Sequence, residues 1–160
     1  ADGVLPAAEK TINRPFVGFM FKFVAHQVIA ISRLRDHTWY TLLQNIDPDS
    51  MVLILPEGRM KRANGLDSAG NPMTVRGGIF DVLDAIGEGR MIIAYSGGLH
   101  HVQVPGQTIP RLFKKVRMNL EVIEIKSYLD AHRTEDYDQF KRNIRLDLER
   151  RRDEDCPPEE

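Results

Sequence analysis

Residues 51–62 read Met51-Val52-Leu53-Ile54-Leu55-Pro56-Glu57-Gly58-Arg59-Met60-Lys61-Arg62. The apolar run is short, partly β-branched and stopped by a proline. That fits a buried strand better than a helix. Past the proline stand a carboxylate, a glycine and three cations. A strand that opens into charge delivers it to the rim of a sheet. In open α/β sheets the rim at the carboxyl ends of the strands is where ligands bind. Three cations beside a glycine suit a ligand that carries phosphate.

Working outward from this stretch, residues 6–25 predict a helix, with Phe16, Phe19, Met20, Phe23 and Val24 at helical spacing. Residues 27–32 predict a strand. Asp36 is placed to cap a helix through Ile46, and Asp47-Pro48-Asp49-Ser50 closes it with turn chemistry. The strand at 51–55 follows, then a long polar, glycine-rich loop over 56–74. Loops of that length inside a compact domain are uncommon and often functional. Gly77–Ile86 predicts a helix that ends at Gly87-Glu88-Gly89, and Met91–Tyr95 a second buried strand. Residues 96–115 read as irregular, 116–125 as an alternating strand, and 134–152 as an amphipathic helix. The alternation predicts an α/β fold with a largely parallel central sheet flanked by helices. One domain over 1–152, followed by a disordered tail at 153–160, is the domain expectation.

The 22 basic and 23 acidic residues leave a net charge of −1, which argues against a dedicated nucleic-acid binder. Cys156 is the single cysteine, so no disulfide framework or cysteine metal site is available, and a reducing compartment is the simpler reading. No apolar run approaches the roughly 20 residues of a membrane span. Residues 16–31 come closest but carry Lys22, His26 and Gln27. Residues 1–9 lack the basic start of a signal peptide. His100-His101 after Gly97-Gly98 has no cysteine or carboxylate beside it, so no metal site is expected. Lys114, Lys115 and Arg117 read as a solvated face, and Glu149–Arg152 as a charged helix end. No phosphate-binding loop of the kinase or dinucleotide type is present.

Pro56-Glu57-Gly58-Arg59 after an apolar strand resembles the third block, Phe-Pro-Glu-Gly-Thr-Arg-Ser, of the glycerol-phosphate and lysophospholipid acyltransferases. Here Leu55 replaces the phenylalanine and the threonine is missing. Val75-Arg76-Gly77-Gly78 is similar to the family's Phe-Lys-x-Gly step. Ile29-Ala30-Ile31-Ser32-Arg33 resembles the second block, a strand ending in Phe-Ile-Asp-Arg, and Met91–Ser96 lies where the fourth block's strand would be. The likeness runs over residues 10–125. The family's first block, His-x-x-x-x-Asp, is absent: none of the five histidines has an aspartate five positions on. By the family's spacing that block would precede Ala1, so the chain is expected to be the downstream part of such an enzyme and inactive alone.

The resemblance implies acyl transfer from acyl-CoA or acyl carrier protein to glycerol phosphate or a lysophospholipid, with no cofactor. It also implies a peripheral site on the cytoplasmic face of a membrane. A base must take the hydroxyl proton and a donor must hold the oxyanion. The missing histidine would be the base. Arg33, Arg59 and Arg76 are the family-matched phosphate ligands, with Lys61 and Arg62 adding to the field. Glu57 would orient an arginine or accept from the acceptor hydroxyl, and Gly58 would let the backbone come close to the ligand. The competing class is an α/β module that binds an anionic lipid or nucleotide without catalysis.

Overall fold

The structure, a computed structural model, describes residues 3–8, 27–31, 37–47, 50–58, 61–67, 69–97, 111 and 113–158. It is a mixed α/β chain whose elements run β1 (Gly3–Ala8), β2 (Gln27–Ile31), α1 (His37–Gln44), β3 (Met51–Val52), α2 (Gly78–Ile86), β4 (Arg90–Ser96), β5 (Met118–Glu124), α3 (Ile125–His132) and α4 (Tyr137–Asp155). They fall into two compact units, one of residues 1–55 with 81–87 and the other of 56–80 with 88–160.

In the first unit β2, β1 and β3 form a three-stranded parallel sheet in that order. Residues 6–8 therefore belong to a strand, not to the start of the predicted helix, and the rest of that helix lies outside the described residues. After α1 the flanking residues of the expected turn are joined: Ser50 Oγ donates to Asp47 Oδ1 over 2.7 Å, and Ser50 N donates to the Asp47 carbonyl over 3.0 Å, while Pro48 and Asp49 lie outside the described residues. Trp39, Leu42 and Val82 make the core, with Leu43, Ile46, Val52, Ile54 and Ile86 packed on it. Trp39 Nε1 donates to Asp81 Oδ2 over 3.1 Å, which satisfies the indole inside an apolar setting. The 51–55 strand is shorter than predicted and is covered on one side only. Val52 and Ile54 turn inward, while Met51, Leu53 and Leu55 are exposed.

In the second unit β4 and β5 pair antiparallel, from Arg90 opposite Glu124 to Ser96 opposite Met118. In place of the expected single, largely parallel central sheet, the described strands form two small sheets, one parallel, and β4 has an antiparallel partner. The row Ile92, Val122, Ala94 and Leu120 is exposed, whereas Tyr95 on the opposite row is buried. An antiparallel pair tolerates one wet face, which a fully covered parallel strand does not.

Helix α3 starts directly after β5, its first amide donating to the Gly89 carbonyl over 2.9 Å. It was absent from the predicted order, although Ile125, Tyr128 and Leu129 have helical spacing and are its buried residues. Helix α4 is capped by the Asp136 carboxylate, which accepts from Asp138 N over 2.9 Å. Phe140, Ile144 and Leu148 make its buried stripe. The helix continues to Asp155, so residues 153–155 are helical where a frayed tail was expected.

The far half of α4 is tied to the inner face of the hairpin by polar groups. Tyr95 donates its hydroxyl to Glu121 over 2.6 Å, and Arg151 bridges Glu121 and Asp147. Asn119 Nδ2 reaches the Asp155 carbonyl over 2.7 Å. The Tyr128 hydroxyl is buried close to Asp147 without reaching hydrogen-bonding geometry. Burial, and then the Asp147 charge, push its phenol well above the ordinary range. The hydrogen bond from Tyr95 holds Glu121 below the usual carboxylate range, against burial and with help from Arg151. Burial raises Asp147, but hydrogen bonds from Arg151 and Arg150 outweigh it, and the carboxyl ends up lowered. Carboxyls depressed on folding stabilise the native state above their unfolded values of about 4, and that contribution disappears as pH falls through the folded values. Urea unfolding midpoints of the second unit are expected to drop on acidification below about pH 4. Asp147→Asn is expected to lower the midpoint at neutral pH and to flatten this acid dependence; an unchanged pH profile in that variant would remove Asp147 from the account.

Candidate functional site

The segment from Pro56 to Gly78 returns on itself because its backbone groups find partners within it. Arg76 N donates to the Pro56 carbonyl over 2.8 Å. Between those ends the chain is folded: Leu66 and Pro72 form an isolated bridge, and Arg62 N donates to the Leu66 carbonyl over 2.9 Å. Asp67 is buried, and its Oδ1 accepts from Ala69 N over 2.7 Å and from Asn71 N over 3.0 Å. A short acceptor side chain thus satisfies turn amides that would otherwise be orphaned.

At the mouth of the segment Glu57, Gly58 and Arg76 meet. Arg76 Nε donates to the Glu57 carbonyl over 3.1 Å, across 19 positions of sequence. Gly58 has φ +62°, and a Cβ placed on it would stand 3.4 Å from Arg76 Cδ. That distance is ordinary contact, so the requirement for glycine comes from the left-handed backbone and not from crowding. The Arg76 side chain is exposed, and among the described residues its two terminal nitrogens have no hydrogen-bond partner. These nitrogens are the fork with which a guanidinium takes two oxygens of a phosphate or carboxylate.

The Glu57 carboxylate points elsewhere. Its Oε1 lies 2.7 Å from Arg152 Nη1, near the end of α4. The same Arg152 nitrogen donates to the Met73 carbonyl over 3.1 Å, and Arg152 Nε donates to Asp153 Oδ1 over 2.8 Å. Burial pulls the Arg152 guanidinium down, but the bonds to Asp153 and Glu57 outweigh it and its pKa ends up raised. Glu149, one turn earlier on α4, accepts from Val75 N over 2.9 Å. Neither Glu149 nor Arg152 stood out in the sequence as more than a charged helix end. No local spacing links them to positions 57, 73 and 75, and the signal is tertiary.

Of the remaining expected ligands, Lys61 and Arg62 are among the described residues. Lys61 is half-buried, and Arg62 is exposed with its backbone amide closing the loop. Burial pushes the Cys156 thiol up against the nearby charges of Lys61 and Arg152, and the Glu57 and Asp153 carboxylates add to the rise. Cys156 Sγ donates to the Ser96 carbonyl at 3.3 Å. Arg33 and Arg59 lie outside the described residues, as do His100 and His101. Among the described residues no group of three histidine, cysteine or acidic side chains is placed to hold a metal ion, and no helix is long and apolar enough to cross a membrane.

Comparison with models of known protein families, with curated proteins and with solved structures returns no match. The chemistry of the site therefore rests on its own geometry: an exposed guanidinium anchored by its Nε, beside a glycine turn, with the adjacent carboxylate engaged by a second arginine.

Because the left-handed conformation costs an L-residue roughly 1–2 kcal/mol, Gly58→Ala is expected to destabilise the second unit by about that amount. Gly58→Asn is expected to cost less, since asparagine visits this region more readily. Equilibrium denaturation of both variants checks the order. Equal stability of Gly58→Ala and the parent would mean that the turn relaxes without strain.

Proposed function

We propose that this chain carries the acceptor-binding part of an acyltransferase of phospholipid synthesis, one that moves a fatty acyl group from acyl-CoA or acyl carrier protein to glycerol phosphate or a lysophospholipid. The observation that supports this most is the contact between Arg76 and Glu57-Gly58. It joins two stretches that separately resemble consecutive blocks of the glycerol-phosphate and lysophospholipid acyltransferases, and it leaves a guanidinium fork exposed where they meet.

In the reaction an acceptor hydroxyl attacks the thioester carbonyl, the carbon–sulfur bond breaks, and the hydroxyl proton leaves to a base. Arg76 would hold the acceptor phosphate, with Lys61 and Arg62 raising the field; Arg33 and Arg59 keep the phosphate-ligand role that the resemblance implies. Gly58 would keep the turn low enough for the ligand to approach the backbone. Glu57 has acceptor capacity beyond the oxygen that Arg152 occupies, enough to receive a hydrogen bond from the hydroxyl. Such chemistry requires a His-x-x-x-x-Asp block upstream of Ala1 in the complete protein. The parallel β2-β1-β3 sheet would then be part of a larger, mainly parallel sheet of that family's fold, and the lipid substrates imply a peripheral membrane location.

One observation favours a second reading. The 160 residues contain no His-x-x-x-x-Asp, which suits a module that binds an anionic lipid or nucleotide without transforming it. Sequence upstream of Ala1 separates the two, since only the enzyme needs the dyad.

In the complete protein Arg76→Ala is expected to raise the acceptor KM about tenfold while kcat changes little, because a phosphate contact made equally in ground and transition states affects binding alone. Acceptor kinetics unaltered by both Arg76→Ala and Arg59→Ala would count decisively against the assignment. The 160-residue chain alone is expected to consume no thioester in the presence of glycerol phosphate; acceptor-dependent release of free thiol would show that its own residues suffice.

A further inference from the structure

Glu57 is engaged by two arginines through two different groups. Its carbonyl receives Arg76 Nε and its carboxylate receives Arg152 Nη1. The division has a chemical consequence. A guanidinium fork binds carboxylate and phosphate with the same geometry, so a carboxylate within reach competes for the fork. Arg76 is bonded to the backbone of Glu57, which places the side chain of that same residue within reach of it. Resting on the acceptor-site reading above, we propose that Arg152 is a positioning residue: it holds the Glu57 carboxylate at the end of α4, keeps it off Arg76, and so leaves the Arg76 fork open to phosphate.

Arg152 is itself well placed to resist release. The pair is half-buried on both sides, with 28% and 27% of the two side chains accessible, and the same guanidinium nitrogen also donates to the Met73 carbonyl. Glu149, one turn back, accepts from Val75 N, the residue before Arg76. One stretch of α4 therefore grips the segment on both sides of the turn, at Glu57 and at Met73–Val75. The grip is charge-specific at Glu57 and backbone-directed at Met73 and Val75. Only the first of these bears on the charge available at Arg76, and that difference separates a positioning role from simple bracing.

Titration with inorganic phosphate at fixed ionic strength, followed through the Arg76 Nε–H resonance, tests this. The parent protein should show a saturable shift. Arg152→Met should weaken phosphate binding by about tenfold, the loss typical of a charge-assisted contact, with Arg152→Lys intermediate because an ammonium retains the carboxylate with poorer geometry. Adding Glu57→Gln to Arg152→Met should restore binding, since the competing carboxylate is gone. Glu57→Gln alone, which leaves Arg152 in place and so is informative even if Arg152→Met does not fold, should bind phosphate at least as tightly as the parent. An Arg152→Met protein that binds phosphate like the parent, a double variant no better than Arg152→Met, or a Glu57→Gln variant that loses affinity would each overturn the positioning role while leaving the acceptor site intact. A parent protein with no saturable response would overturn the acceptor-site reading, and the role of Arg152 with it.

Discussion

The candidate site depends on the way α4 takes hold of one glutamate. With its carboxylate on Arg152 and its carbonyl on Arg76, Glu57 links the last turns of a long helix to both ends of the 56–78 segment. A half-exposed ion pair of this kind contributes little energy by itself, on the order of 0–1 kcal/mol. Its effect is geometric. The backbone bonds around it, Arg76 N to the Pro56 carbonyl and Val75 N to Glu149, satisfy amides whose loss of partner would cost more than the pair contributes. The segment is thus closed by obligatory backbone partners and given its charge pattern by the arginines.

Helix α4 can play this part because its other half is fixed. Phe140, Ile144 and Leu148 bury one stripe. Arg151 faces the hairpin through Glu121, while the next residue, Arg152, faces the site. Adjacent residues on a helix point about 100° apart, so one helix serves two surfaces within a single turn. The polar network under the hairpin adds direction more than energy. Burial of the Asp147 carboxylate works against the bonds it accepts from Arg151 and Arg150, as is usual for half-buried ionic clusters.

Several features were legible from local pattern. The strand at Gln27–Ile31, the helices at His37–Gln44 and Gly78–Ile86, the hairpin strands and the body of α4 lie close to where periodicity and turn residues put them. The Gly87 stop is one such case: φ is +69° there and its amide caps back to the Leu83 carbonyl, as a glycine after the last helical turn allows. Other features were misread for physical reasons. Residues 6–8 were joined to a helical stripe that starts later in the sequence. Residues 51–55 and 91–95 read as buried strands, but a continuous apolar run does not reveal how many faces are packed; the structure covers one face of each. Helix α3 is hidden from local pattern because its apolar spacing begins at Ile125, the last residue of the expected strand.

By itself the sequence determined that charge and a glycine follow an apolar strand, that helices and strands alternate, and that α4 carries an apolar stripe. These are consequences of local stereochemistry, with periods of 3.6 and 2 and the backbone freedom of glycine. Only the tertiary structure decided that β4 pairs antiparallel with β5, that Arg76 returns to Glu57, and that the glutamate's partner is Arg152, 95 positions away. Pairings of that kind depend on how finished elements pack and which polar groups packing would leave unsatisfied. No local pattern of residues encodes that choice.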